Sequence, residues 1–499
     1  MKAVTVSNSP VVTTSYGDVV GVFEEGLSVF RGIPYAAPPI GGLRWQSARP
    51  HEGWAGIRSA ENYGPSALQP FVPGGSPILG EHGSPPFDED CLSLNIWTPS
   101  ADDKRRPVLV WIHGGGLLIG SGNIPYYAGD TFAKNGDLVV VTINYRLGAL
   151  GFLSGMGDRE NLWLDDQAVA LRWIVDNIEA FGGDPNAITL LGQSGGALSI
   201  GGLVQHPTSR GLFHRAILQS IPLGIEFQTP SAAFERTRKL ATLLGHEDVE
   251  ALRNEPGQRL VEGSLGVLID NAAFGNWPLA FLPVIDEDSI PVHPLQALAE
   301  SDVELLVGWT EDEASFAFAL DPQYADTSQS QVLDWLGSEG EEALGIYGAY
   351  TSSGRSTPKE VLSGVVSDNL FRRSALDLVE KRAAVAPVYA YEFRFDSPAF
   401  DGRLGATHCL DLPFTFNNVD KWSGAGFIQG IEEVVFERIG TSMHKAFISF
   451  VVTGDPTHEG FAWPKYTSEQ GELLLIDQNI RVGTEVGRPW QSLDGSRPS

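Results

Sequence analysis

Cysteine is nearly absent from this 499-residue chain, which has only Cys91 and Cys409. Two distant thiols cannot build a disulfide framework and suit a reducing compartment, so a cytoplasmic protein is expected. Cations are also scarce. Lys and Arg total 34 against 62 Asp and Glu, for a net charge of −28. A field of that sign repels phosphate backbones and anionic lipid, which argues against nucleic acid and membrane surfaces as partners. The plain reading of the excess is solubility, and the sharper one is steering of cationic substrates. No apolar run approaches the roughly 18 residues of a spanning helix. Met1–Ser7 has no apolar stretch of signal-peptide length, so no export signal is expected. No internal repeat, heptad pattern, or Gly/Ser or Pro linker divides the chain. No His or Cys cluster has zinc spacing, and no H-E-x-x-H or calcium loop occurs, so neither a metal nor an organic cofactor is implied.

What remains is globular, with 42% hydrophobic and 19% charged residues. The first hundred residues carry short alternating runs, Val19–Phe30 and Leu92–Trp97, which predict an antiparallel β region. From Val108 the pattern changes. Val108–His113, Leu138–Tyr145 and Ala187–Gly192 are apolar runs of the kind buried on both faces of a sheet. Asp165–Phe181 repeats apolar residues at helical spacing and stops at Gly182-Gly183. Ala216–Gln219, Leu305–Gly308 and Val388–Phe395 read as further strands. Glu432–Thr453 reads as a long helix, and Leu473–Ile476 as a last edge strand. Strands alternating with helices predict one α/β unit over residues 1–499 with a large, mostly parallel sheet. Insertions at about 221–300 and 321–380 are expected to cover one end of it.

Gly192-Gln193-Ser194-Gly195-Gly196 fits G-x-S-x-G between a strand and a helix. There a sharp turn lifts a serine hydroxyl above the sheet edge as a nucleophile; the competing reading is a plain turn. His113-Gly114-Gly115-Gly116 follows the strand ending at Ile112. Unshielded N–H groups of Gly115 and Gly116, with that of Gly195, could hold an oxyanion. A phosphate cradle is the competing reading, but no Walker lysine or Rossmann spacing supports it. A serine nucleophile needs an orienting acid and a base, which follow it in that chain order in α/β-hydrolases. Glu311-Asp312-Glu313, just past a strand end, is the best acid cluster. Beyond it stand His408, His444 and His458. His444 falls inside a predicted helix, and His408 is favoured over His458.

These motifs resemble those of type-B carboxylesterases, the cholinesterase-like α/β-hydrolase family, and its bacterial para-nitrobenzyl-esterase-like group in particular. The likeness runs from about Gly17 to Ile476. It includes Phe30-Arg31-Gly32-Ile33-Pro34-Tyr35-Ala36-Ala37-Pro38-Pro39 and Glu89-Asp90-Cys91-Leu92-Ser93-Leu94-Asn95. Further on come the glycine loop, Asn144-Tyr145-Arg146-Leu147-Gly148, Asp165-Asp166-Gln167 and Phe181-Gly182-Gly183-Asp184-Pro185. The serine turn, Asp312-Glu313, and His408 before Asp411-Leu412-Pro413-Phe414 complete it. The resemblance implies an α/β-hydrolase fold and a serine esterase with Glu313 as acid and His408 as base. It matches Ser220 to a serine that hydrogen-bonds near the acid, and Arg44 and Glu89 to a structural ion pair.

The chain departs from the family pattern at Gln193, where the family usually has Glu; this weakens any preference for cationic substrates. Gly195 stands for a common Ala, and Ala314 for the Gly after the acid. Cys91 lacks its family partner near Ala67 and is expected free. Cys409 reads as a packing residue, or else as a thiol whose alkylation would block the site. Leu117, Leu118, Ile221, Phe316 and Phe318 lie near the motifs and are expected to line an apolar cleft. The expected partner is a small-molecule ester, acted on by a monomer or weak homo-oligomer. Carbamate or amide hydrolysis by the same groups is the alternative, and a non-catalytic binding role is the third reading.

Overall fold

A computed structural model describes residues 9–81, 83–337 and 340–484. The expectation for Met1–Ser7 lies outside the described residues. Eleven strands form the main sheet: β1 Val22–Glu24, β2 Leu27–Pro34, β3 Ser93–Thr98, β4 Arg106–Ile112, β5 Val139–Ile143, β6 Gly183–Gln193, β7 Arg215–Gln219, β8 Glu304–Thr310, β9 Val388–Phe393, β10 Leu473–Ile476 and β11 Ile480–Gly483. Their order is β11-β10-β9-β8-β7-β6-β4-β5-β3-β2-β1. All pairs from β5 to β10 are parallel, and the strands at both margins pair antiparallel. A separate small sheet joins Val11–Thr14, Gly17–Val20 and Ile57–Ser59. Its first pair is antiparallel and its second parallel.

The apolar strands fill both faces of the sheet, as alternation of side chains requires. In β4, Val108, Val110 and Ile112 enter one core, while Leu109 and Trp111 enter the other. The first core packs the helix Leu162–Asn177, which continues as a short 3-10 turn, Ile178–Phe181. The second packs the helix Thr441–Thr453.

Two elements differ from expectation. The long helix over 432–453 is broken into Glu433–Val435, a π turn at Phe436–Gly440, and Thr441–Thr453. Strand β10 is not an edge. A turn in which Asn479 N–H donates to Asp477 Oδ1 at 2.7 Å folds β11 back against it.

Candidate active site

The carboxyl end of β6 runs into a sharp turn before the helix Gly195–Leu203. Ser194 sits in that turn at φ 54° and ψ −122°. Such a conformation costs a non-glycine residue about 1–3 kcal/mol and persists only where its surroundings fix it. Here Ser194 N–H donates to Gln219 O at 2.9 Å. A Cβ on Gly196 would lie 2.0 Å from Ile112 O, so the turn packs against β4 only because that residue is glycine.

The glycine loop leaves β4 one strand over. His113 is buried, its ring stacked on Tyr145 at 4.4 Å, and Tyr145 Oη donates to His113 O at 2.7 Å. Burial pushes the His113 imidazole down to about 4, so it is neutral and structural. Gly115 has φ +117°, and a Cβ there would meet Ile119 O at 2.1 Å. Among the described residues, the N–H groups of Gly115 and Gly116 have no backbone acceptor. Gly195 opens a helix, where an N–H lacks an intrahelical acceptor.

Of the three clustered acids only Glu313 reaches a histidine. It is fully buried, with Oε1 accepting Thr310 N–H at 2.9 Å and Oε2 lying 2.5 Å from His408 Nδ1. Asp312 instead pairs with Arg355 and accepts Ala406 N–H at 3.1 Å. Glu311 points elsewhere, and burial with Asp312 alongside pushes it up to about 7. Trp277 and Phe371 flank the His408 ring at 5.6 and 5.1 Å. Burial by itself would lower the His408 pKa. The Cys409 thiol and Glu313 carboxylate outweigh it and hold the imidazole well above its ordinary value. His444 is buried with Nδ1 2.9 Å from Thr415 O, and His458 stacks on Phe461; neither contacts Glu313.

Ser194, Gln193 and His408 meet at a cavity of about 340 Å³. Its walls are mainly apolar and aromatic, including Leu118, Tyr126, Trp277, Leu279, Phe316 and Trp422; Cys409 is also on the wall. Three residues expected in the cleft are not among its lining. Phe318 turns away to a second cavity, Ile221 is fully buried in the core, and Leu117 packs toward Gly195. Phe316 and Phe318 lie two positions apart in the short helix Ser315–Phe318, so about 200° of rotation separates them. Trp277 comes from a segment remote from any motif, Tyr126 and Trp422 lie just beyond one, and no local signal marks any of them.

The second cavity, about 580 Å³, lies beyond Asp312 and is lined by Glu311, Arg355, Lys359 and Arg403 among others, without Ser194 or His408. Among the described residues Ser220 Oγ is buried without a hydrogen-bond partner, so the bond that the resemblance implies near the acid is not formed there. Arg44 Nε donates to Glu89 Oε2 at 2.7 Å, and Cys91 is a buried free thiol.

Residues 8–489 match the model of the carboxylesterase family. The chain belongs to the carboxylesterase family. This carboxylesterase is 54% identical to a phenmedipham hydrolase of Pseudarthrobacter oxydans, over 96% of this chain and 98% of that protein. It is 34% identical to the para-nitrobenzyl esterase of Bacillus subtilis, over 95% and 96%. A carboxylesterase structure from Geobacillus stearothermophilus superposes with a TM-score of 0.84 at 35% identity, covering 97% and 98%. The carboxylesterase is therefore an α/β-hydrolase that hydrolyses small-molecule carboxylic esters. Among its described residues, no helix is long and apolar enough to cross a membrane.

Proposed function

We propose that Ser194, His408 and Glu313 are the catalytic triad of an esterase for uncharged aryl esters and carbamates. The contact of Glu313 Oε2 with His408 Nδ1, with His408 and Ser194 lining one cavity, carries this reading. Ser194 Oγ attacks the carbonyl while His408 Nε2 takes its proton. Glu313 fixes the tautomer and stabilises the imidazolium, and the N–H groups of Gly115, Gly116 and Gly195 hold the oxyanion. His408 then protonates the leaving group, and water releases the acyl-enzyme by the reverse route.

The aromatic walls suit a flat aryl group, and the 54% identity to a phenmedipham hydrolase favours carbamates as the second class. Leu265, Leu268, Trp277, Pro278 and Leu279 belong to the insertion at about 221–300 and cover the cleft. Among the described residues the insertion at 321–380 supplies no wall residue, only Phe371 beside His408. The two free cysteines fit a cytoplasmic protein.

Initial rates on para-nitrophenyl acetate, butyrate and octanoate and on an aryl carbamate test the reading. Ser194→Ala should lower kcat by at least about a thousandfold with an unchanged circular dichroism spectrum. A variant with wild-type rates removes Ser194 as nucleophile.

A further inference from the structure

Ser194 and His408 both line the cavity, yet no hydrogen bond joins them in the free enzyme. Among the described residues the Ser194 hydroxyl has no hydrogen-bond partner, whereas His408 Nε2 lies 3.0 Å from Gln193 Nε2. The other ring nitrogen faces the Glu313 carboxylate, which can only accept while ionised. In the neutral ring Nδ1 therefore carries the proton, and Nε2 presents its lone pair. The Gln193 amide donates to that lone pair, the same one the Ser194 proton requires. Gln193 is only 2% exposed, closes strand β6 and borders the cavity. Its side chain is thus placed to meet both the base and an incoming substrate.

We propose that Gln193 is a positioning residue: its side-chain amide occupies His408 Nε2 in the empty site, opposes protonation of the imidazole there, and yields it to Ser194 when substrate fills the cavity. The inference rests on the triad reading above. The other groups facing the ring are Glu313 at Nδ1, Cys409 and Asp411 from its own loop, and the uncharged rings of Trp277 and Phe371. At Nε2, the Gln193 side-chain amide lies within hydrogen-bond distance. A donor at this atom opposes protonation, because imidazolium would set two N–H groups against each other. A carboxylate in its place would favour protonation.

The test is the pH dependence of kcat/KM on para-nitrophenyl butyrate, with the pre-steady-state burst measured in parallel. Wild type is compared with Gln193→Ala, Gln193→Met, Gln193→Glu and Ser194→Ala. Removing the donor should move the acid limb up by about 0.4–1 unit in both the Ala and the near-isosteric Met variants. Gln193→Glu should move it up by more than about 1 unit. On the alkaline plateau the burst rate of Gln193→Met should equal or exceed that of wild type, since the base is no longer occupied. A limb that stays in place in both donor-free variants overturns the proposal. So does a downward shift, which would mean that the amide oxygen faces the ring. An active Ser194→Ala overturns the triad reading itself, a failure distinct from an unmoved limb.

Discussion

His408 carries the clearest consequence at the scale of a residue. Only neutral imidazole can accept the Ser194 proton, so below its pKa the active fraction falls about tenfold per pH unit. Cys409 and Glu313 hold that pKa above the ordinary value despite burial. The acid limb of kcat/KM is therefore expected above histidine's usual pKa of about 6.5, and activity should still be rising past neutrality. Rates between about pH 5 and 9 check this, and a limb at or below about 6 contradicts it. Most of the proposed chemistry could be read at this scale, because G-x-S-x-G and H-G-G-G announce themselves locally. Which acid serves His408 was not marked by the residues themselves, and only the family resemblance singled out Glu313. Glu311, Asp312 and Glu313 are consecutive, and only the folded chain turns the third toward the ring.

At the scale of elements, the glycine loop is the most exacting part. Gly115→Ala would place a Cβ 2.1 Å from Ile119 O at a φ of +117°. The loop must shift, and losing even one oxyanion donor costs kcat about a hundredfold or more. Steady-state kinetics alongside a thermal melt should show that activity loss with a far smaller loss of stability. Beneath the loop, Arg146 donates from Nε to Asp166 at 2.8 Å, with exposures of 3% and 0%. Arg146→Met would strand a buried carboxylate at a cost of about 3–5 kcal/mol. A urea midpoint measures this directly, and a loss below about 1 kcal/mol would show that the pair is dispensable.

The elements themselves were partly legible. Runs such as Val108–Ile112 announce burial on both faces of a sheet. Strand β11 did not stand out, since four residues beside charged neighbours carry little pattern. The broken helix over 432–453 is equally hidden, because a π turn at Phe436–Gly440 preserves helical periodicity on both sides. The cavity walls were the least legible. Trp277, Tyr126 and Trp422 meet only through tertiary packing, and Phe318 shows that nearness in sequence does not fix direction.

For the whole molecule, a net charge of −28 surrounds a cavity with mainly apolar walls. Surface charge acts on substrates through long-range fields, which salt screens within about 8–10 Å at physiological strength. An uncharged aryl ester feels little of this. Its kcat/KM should stay within about twofold from 10 to 500 mM salt, whereas a cationic choline ester should lose rate as salt rises. Parallel titrations of the two substrates check the contrast. A steep fall for the neutral ester would mean that charge guides substrates in a way the cavity does not reveal.

The site also draws on distant parts of the chain. Gln193 and His408, in contact across the cavity, are 215 residues apart in sequence. During synthesis at about 5–20 residues per second, His408 leaves the ribosome roughly 10–40 s after the serine turn. Throughout that interval Ser194 lacks its proposed base, so the growing polypeptide cannot acylate itself through this triad before His408 has emerged.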